Sequence, residues 1–276
     1  MRLLRYIKYG CFFALTSLTG CCAVCPFVMG EMISSTICCA LCRVHMTASE
    51  LFDPATAALL EDIRQGNEAH AREALAGGLS LNIQGKEGVT PLTWLLLETR
   101  NKKAVRLGLK LGADPNFKNN YGSSATTLVS GFKDSEWLRM MLDAGGNPDG
   151  PGGGNKTPLF EAIAAENWDN LKLLVERGAD INQQIDHYMN ETALLYAADG
   201  NQYEMVYWLI EHGARTDIYD NSGANLAWLL YDSESIMPKT APAYPWLLKV
   251  KHVLEQQGTT FPPPSPQEIR NSRKIQ

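Results

Sequence analysis

The sequence predicts an all-α solenoid of about five or six helix-turn-helix units joined by short hairpin tips. A glycine recurs where a helix must end and the chain reverse, and a closing Asn or Asp follows four positions later. The separations between closing positions are 34, 33, 33 and 35 residues. So constant a period is typical of stacked repeats, in which each unit contacts only its neighbours. The closing positions are Asn82, Asn116, Asp149, Asn182 and Asp217.

The first unit, residues 53–78, has the composition of an end cap. It divides at Gly66-Asn67 into two short segments of helical character. Its charges are spread over the outer surface, as an element that closes a stack requires. We therefore expect the repeat domain to begin near residue 51.

The next units begin with a helix-capping pattern. In 90–92 and 157–159 the order is Thr-Pro-Leu, in which Thr is expected to cap the helix and Pro to take its first position. The opening at 192–194 loses the proline, and the one at 124–126 keeps only the capping hydroxyl of Ser124. The third unit is therefore the weakest of the series.

The segment from Lys156 to Asp180, with its Thr-Pro-Leu opening and Gly-Ala-Asp close, resembles one ankyrin repeat. The resemblance extends over residues 51–258 and implies a protein-binding domain with a concave face of hairpin tips and first helices. The family's usual histidine after Thr-Pro-Leu is absent. Its position holds Thr93, Thr127, Phe160 and Leu195.

Residues 224–232 align with 90–98 and indicate a sixth, terminal unit. A Pro-rich insertion, 233–245, precedes its second helix, which is expected over 246–257. Residues 259–276 are predicted to be an extended, Pro-rich tail.

The first 50 residues differ from the rest of the chain, because all seven cysteines lie between Cys11 and Cys42. Residues 1–10 are basic, residues 11–19 are apolar, and Leu18-Thr19-Gly20-Cys21 resembles a bacterial lipobox. The resemblance implies a signal peptide over 1–20, a lipid anchor on Cys21 and a periplasmic location. Because the residue after Cys21 is not Asp, it also favours the outer membrane. Residues 21–50 are then a Cys-rich apolar leader or linker.

Other interpretations of this leader remain open. It is also compatible with a broken membrane anchor over 11–41, or with an upstream extension before a start at Met29, Met32 or Met46. The pairs Cys22-Cys25 and Cys39-Cys42 have a spacing found in zinc sites, but their surroundings lack polar second-shell residues. We therefore predict no metal site.

The repeat domain shows no catalytic grouping. It contains no GxSxG, HExxH or P-loop motif, and the glycine-rich loop 150–156 lacks a preceding strand and a GK[ST] ending. The whole chain carries a net charge of −5, and residues 1–46 are basic, so the repeats are acidic. General nucleic-acid binding relies on Lys and Arg and is therefore disfavoured. The sequence predicts neither an enzyme nor a bound cofactor.

Candidate partner-binding residues are large side chains at two kinds of position. Apolar and aromatic groups stand out at the tips, where there is little core to bury them. The alternatives are that neighbouring tips pack on one another and that the first-helix tryptophans fill gaps between helices. Trp168, Tyr203 and Trp208 align with core positions of second helices and are predicted to pack inside. The tip candidates are Phe117, Tyr121, Ile185, Tyr188, Met189 and Tyr219, and the first-helix candidates are Trp94, Glu161, Tyr196 and Trp228.

Together, the repeats and the lipobox resemble the immunity lipoproteins that neutralise type VI secretion phospholipase effectors in the periplasm. That resemblance implies a protein that is monomeric when unbound and clamps a secreted lipase toxin. The alternative is an ankyrin scaffold or adaptor with another protein partner.

Overall fold

The computed structural model describes residues 46–185 and 189–273. Residues 46–276 form one compact unit. The predicted signal peptide, lipobox and cysteine pairs lie outside the described residues, as does Tyr188.

The described residues fold into helices joined by short tips, with no strand among them. The first three helices are α1 (Ala48–Leu51), α2 (Pro54–Gln65) and α3 (Glu68–Ala76). Helix α4 (Pro91–Trp94) continues into a π-helical turn over Leu95–Thr99. The remaining helices are α5 (Lys102–Lys110), α6 (Ala125–Ser130), α7 (Glu136–Asp143), α8 (Pro158–Ala164), α9 (Trp168–Glu176), α10 (Ala193–Asp199), α11 (Tyr203–Glu211), α12 (Leu226–Ile236), α13 (Tyr244–Gln256) and α14 (Pro266–Arg273).

Helices α2 to α13 form six antiparallel pairs, each of which is one repeat. The first helices α6, α8, α10 and α12 pack against one another in that order, and the second helices α11 and α13 also pack together. Leu138, Leu171 and Leu209 from the second helices are fully buried between the layers. The predicted helix-turn-helix solenoid is therefore confirmed, with six units.

The closing asparagines join each repeat to the next. The amide of Asn82 donates to the Gly112 carbonyl (3.0 Å), and its oxygen accepts the backbone N–H of Asp114 (2.8 Å). Asn116 and Asn182 make the same pair of bonds one repeat further along. Each of these asparagines thus joins two neighbouring units by a pair of hydrogen bonds, which satisfy one backbone carbonyl and one backbone N–H of the following unit. The pairs fix the spacing between successive units.

Asp149 occupies the same position but makes only half of the link. Its carboxylate accepts the N–H of Asp180 at 2.8 Å. A carboxylate has no N–H to donate, so the carbonyl that the other repeats satisfy receives no bond from an ionised Asp149. Burial raises the pKa of Asp149, the hydrogen bond from the Asp180 N–H opposes this shift, and the Asp180 carboxylate adds to it.

The predicted reversals at glycine are confirmed, whereas one predicted cap is wrong. Gly112, Gly178 and Gly213 have φ values of 98°, 86° and 95°, in the left-handed region that favours glycine. Ser124 caps α6 by accepting the N–H of Thr127 at 3.2 Å. Thr157 stands at the N-cap of α8 but makes no side-chain capping bond, so Pro158 alone marks that start.

The C-terminal tail is not extended as predicted, because it contains α14. The Arg270 guanidinium donates to the Ser222 carbonyl. A Cβ atom on Gly223 would lie 2.7 Å from the Pro266 carbonyl oxygen, which shows how closely α14 approaches the hairpin tip 218–223. The tail therefore packs on the last repeat.

Candidate partner-binding surface

We group the hairpin tips and the first helices under one name, the inner surface. It comprises the described residues of five tips, each numbered by the unit that it precedes, together with α4, α6, α8, α10 and α12. The second to sixth tips are 83–89, 117–123, 150–156, the described part of the fifth (183–185 and 189–191) and 218–223. A contact between Lys156 in one tip and Tyr196 in α10 joins the two parts. The lysine ammonium donates to the tyrosine hydroxyl at 3.2 Å and lies 4.9 Å from the ring centroid.

Tyr121 is the most prominent side chain on this surface, with 64% of its area exposed. Its tip is fixed by Asn119, whose side-chain oxygen accepts the backbone N–H groups of Tyr121 and Ser123, both at 2.9 Å. The Asn119 N–H in turn donates to the Ser123 carbonyl at 2.9 Å. An aromatic ring held on a fixed tip loses little backbone entropy on binding, so this residue suits an interface anchor.

A second feature is the Lys156 cluster, which we define as Lys156, Phe160, Glu161, Glu191 and Tyr196. The rings of Phe160 and Tyr196 are tilted, with centroids 5.4 Å apart. Phe160 is buried, whereas the other four residues are half-buried and line the inner surface. The cluster therefore combines charged side chains with the neighbouring aromatic rings of Phe160 and Tyr196.

The negative charges of Glu161 and Glu191 in the Lys156 cluster are only partly balanced by the positive charge of Lys156. Burial raises the pKa of Glu161, and Lys156 opposes this shift. Burial also raises the pKa of Glu191, to about 7, with further contributions from the Asp199 and Asp220 carboxylates that Lys156 only partly offsets. A positive group from a partner would therefore be favoured here.

Tyr219, at the sixth tip, is already in contact with the C-terminal helix. The guanidinium of Arg273 lies 4.9 Å from its ring centroid. Arg273 also helps to line a groove with Asp217 and Asp220. The chain's own basic helix thus covers part of the tip that the sequence assigns to a partner.

The remaining candidates divide by burial. Trp94 and Ile185 are 4% and 5% exposed, so both pack inside rather than presenting their side chains to a partner. The Trp94 indole N–H donates to the Met46 carbonyl at 3.0 Å, which favours the gap-filling interpretation for this residue. Half-buried positions are occupied by Phe117, Met189 and Trp228, in addition to Glu161, Tyr196 and Tyr219.

Sequence reasoning missed an aromatic surface on the second helices. Tyr203 is 1% exposed and packs inside as predicted, but Trp168 and Trp208 are only half-buried. Each lies beside a further aromatic or charged group on the outer side of α9 or α11. In the same register, Trp168 replaces the polar Lys102 and Ser135 of earlier units, and Trp208 replaces smaller aliphatic side chains. These large aromatics are the signal that could have identified the surface.

In residues 46–185 and 189–273, no group of three or more His, Cys, Asp or Glu side chains could hold a metal ion. None of the helices in these ranges is long and apolar enough to cross a membrane.

The fold and the inner surface define a helical repeat protein of the class that presents its tips and first helices to other proteins. The family model for ankyrin repeats, in three copies, matches residues 129–222. This stretch of the chain therefore matches ankyrin repeats, whose stacked units form an extended surface that binds other proteins.

Curated relatives match parts of the chain. The B-cell lymphoma 3 protein of Homo sapiens is 30% identical over 138 residues, covering 47% of this chain and 29% of its own length. An ankyrin repeat-containing protein of Treponema pallidum is 29% identical over 86 residues, covering 31% of this chain and 29% of its own length. The chain thus spans less than a third of the length of these relatives.

The crystal structure of the ankyrin repeat domain of Bcl-3 superposes on this chain with a TM-score of 0.60 at 24% identity. The match covers 76% of this chain and 92% of that one. This likeness establishes the fold, so the predicted ankyrin-repeat solenoid is confirmed.

Proposed function

We propose that this protein binds a protein partner through its inner surface and acts as an envelope-tethered immunity protein against a phospholipase-type effector. The observation that carries the binding role is Tyr121, a largely exposed aromatic ring on a tip fixed by Asn119. The lipobox resemblance at Leu18 to Cys21 supports the periplasmic side of a bacterial membrane, with the outer membrane favoured.

The partner would be held at two neighbouring places on the inner surface. Tyr121 would insert into an apolar recess of the toxin, as aromatic anchors do at the centre of interfaces. The half-buried carboxyl groups of Glu161 and Glu191 would receive a basic side chain of the toxin. A toxin bound along the stack in this way would have its active site or its membrane-contacting face covered.

Where the neighbouring reading frame encodes a lipase, the test is the affinity of this protein for that lipase. Tyr121→Ala is expected to weaken binding roughly tenfold or more, because truncation of a buried interface aromatic costs at least about 1–2 kcal/mol. The double variant Tyr121→Ala with Tyr188→Ala extends the test to the fifth tip. A matched control is Leu248→Ala, since Leu248 is 40% exposed on the second helix α13 and lies outside the inner surface.

Unchanged affinity in the double variant would remove the tips from the binding site. Absence of any binding between the purified lipase and the unaltered chain would reject the immunity role itself.

The alternative function is a scaffold or adaptor with a different protein partner. The matched relatives include proteins of humans and of a spirochaete, so the repeats alone are compatible with many partners. A lipase gene adjacent to this one favours immunity, and its absence favours the scaffold. Incorporation of labelled palmitate that is lost in Cys21→Ala would support the lipid anchor independently of either role.

A further inference from the structure

The second helices of the last three units line an aromatic groove. Trp168 in α9 and Trp208 in α11 meet edge to face, with ring centroids 6.4 Å apart. Tyr207 in α11 and Trp246 in α13 are tilted, with centroids 5.8 Å apart. The groove encloses about 540 Å³, and all four rings are half-buried. Aromatic surface therefore remains available across three adjacent helices.

The ring faces of this groove already hold positive groups. The ammonium of Lys249 lies 3.9 Å from the Tyr207 centroid and 4.6 Å from the Trp246 centroid. The ammonium of Lys172 lies 5.7 Å from the Trp168 centroid. Because exposed lysines occupy these positions, the ring faces are favourable sites for cations.

Charges of both signs surround the rings in equal number. Lys172 and Lys249 line the groove together with Glu204 and Glu211, and all four side chains are exposed. The groove is therefore neutral overall but carries separated charges. A ligand complementary to it would itself be neutral and carry a positive and a negative group close together.

Phosphocholine has this chemistry. Its quaternary ammonium suits tryptophan and tyrosine faces flanked by a carboxylate, as in aromatic cages. Its phosphate suits the lysine ammonium groups, which bind phosphate as point charges. Amphipathic Trp and Tyr rings bordered by lysines are also the groups that lie at the headgroup level of bilayers. The acidic repeats disfavour an anionic surface, since like charges repel.

We propose that the aromatic groove of α9, α11 and α13 docks on the zwitterionic phosphocholine headgroups of a lipid bilayer. This surface is separate from the inner surface, so a protein partner and a bilayer would be bound at the same time. It requires neither the leader nor the proposed immunity role.

The experiment uses residues 46–276, which form a compact unit of their own, so that the leader does not contribute. Sedimentation is measured with phosphatidylcholine vesicles and with phosphatidylglycerol vesicles, and tryptophan emission is recorded with soluble glycerophosphocholine. We expect binding to the zwitterionic vesicles, accompanied by a blue shift of tryptophan emission and protection from acrylamide quenching.

Two variants and one matched control localise the binding. Trp246→Ala is expected to lower the vesicle partition coefficient roughly tenfold, because a large interfacial aromatic is lost. Lys249→Glu replaces an exposed residue, so it leaves the fold intact, and it removes an ammonium that would bind the phosphate; it is expected to lower partitioning roughly threefold. Trp228→Ala removes an equally half-buried tryptophan from the inner surface and is expected to leave partitioning unchanged.

Three outcomes would overturn the proposal. The first is absence of binding to phosphatidylcholine vesicles, or tighter binding to phosphatidylglycerol. The second is saturation of the groove by glycerophosphocholine without vesicle binding, which would assign it to a soluble compound. The third is a dimer in light scattering that Trp246→Ala dissociates and vesicles do not, which would assign the groove to a second copy of the chain.

Discussion

Replacing Asp149 with asparagine should stabilise the repeat domain. The asparagines at three other closing positions each donate to a glycine carbonyl and accept a backbone N–H, whereas Asp149 only accepts. By the same register, the new side-chain amide would donate to the carbonyl of Gly178. Asp149→Asn therefore adds one hydrogen bond and removes a partly buried charge.

The expected gain is about 1 kcal/mol, the usual net contribution of one intramolecular hydrogen bond. For a domain of this size, that gain raises the thermal midpoint by roughly 2–4 °C. The assay is urea and thermal unfolding of residues 46–276, followed by circular dichroism at several pH values.

The gain should depend on pH in a defined direction. Burial raises the pKa of Asp149 above its value in the unfolded chain, so its ionisation opposes folding. That penalty is absent below the unfolded pKa, near pH ~4, and develops as the pH rises through the folded pKa. The advantage of Asp149→Asn is therefore largest at neutral pH and smallest in acid.

Asp217→Asn is the matched control, because Asp217 is also a closing residue. Arg215 holds its carboxylate with bonds of 3.0 and 2.8 Å, and this pairing lowers the pKa of Asp217. Asparagine at position 217 should therefore give no gain. The reasoning would be refuted by equal stabilisation in both variants, or by a gain at Asp149 that does not change with pH.

Two further predictions concern the inner surface. In the unaltered domain the urea midpoint should fall as the pH rises from about 4.5 to about 7, because folding raises the pKa of Glu191 to about 7 and its ionisation then opposes folding. Glu191→Gln should flatten this fall. An unchanged slope in that variant would contradict the raised pKa of Glu191. Arg270→Ala removes the hydrogen bond to the Ser222 carbonyl and should loosen α14. Hydrogen exchange at the backbone amides of 219–223 should therefore accelerate. Unchanged protection of these amides would mean that α14 does not stabilise the sixth tip.

The sequence predicts the chain path well because that path depends on local backbone chemistry. Left-handed conformations at Gly112 and Gly178 are strained for other residue types, so a regular series of glycines indicates where each helix pair ends. Closing asparagines are similarly informative, because the two hydrogen bonds of each side chain reach backbone groups of the next unit and so require a nearly constant distance in sequence between units. Thr157 shows the limit of such signals, because a residue can occupy a capping position without its side chain making the capping bond.

The environment of a repeated position could not be predicted, because it depends on segments outside the repeats. Trp94 and Trp228 occupy the same position in their units. The chain at Met46 covers Trp94 and accepts its indole hydrogen bond, whereas Trp228 stays half-buried beside Tyr231 at a centroid distance of 5.8 Å. Tyr219 is likewise covered by a helix that no repeat pattern indicates. Periodicity describes the stack, and non-periodic segments decide which parts of it are accessible.

The inner surface and the aromatic groove can vary independently, because different residues fix the core. Along the second helices, Leu171, Val206 and Val250 are fully buried and hold neighbouring units together. Tyr121 lies on a tip whose conformation comes from Asn119, and Trp246 lies on the outer side of α13. Tyr121 is largely exposed, and Trp246 contacts the neighbouring unit through the half-buried ring of Tyr207 rather than through these buried aliphatic side chains. Truncating either residue should therefore leave the stack folded. A loss of binding in these variants would therefore report on the surface concerned rather than on stability.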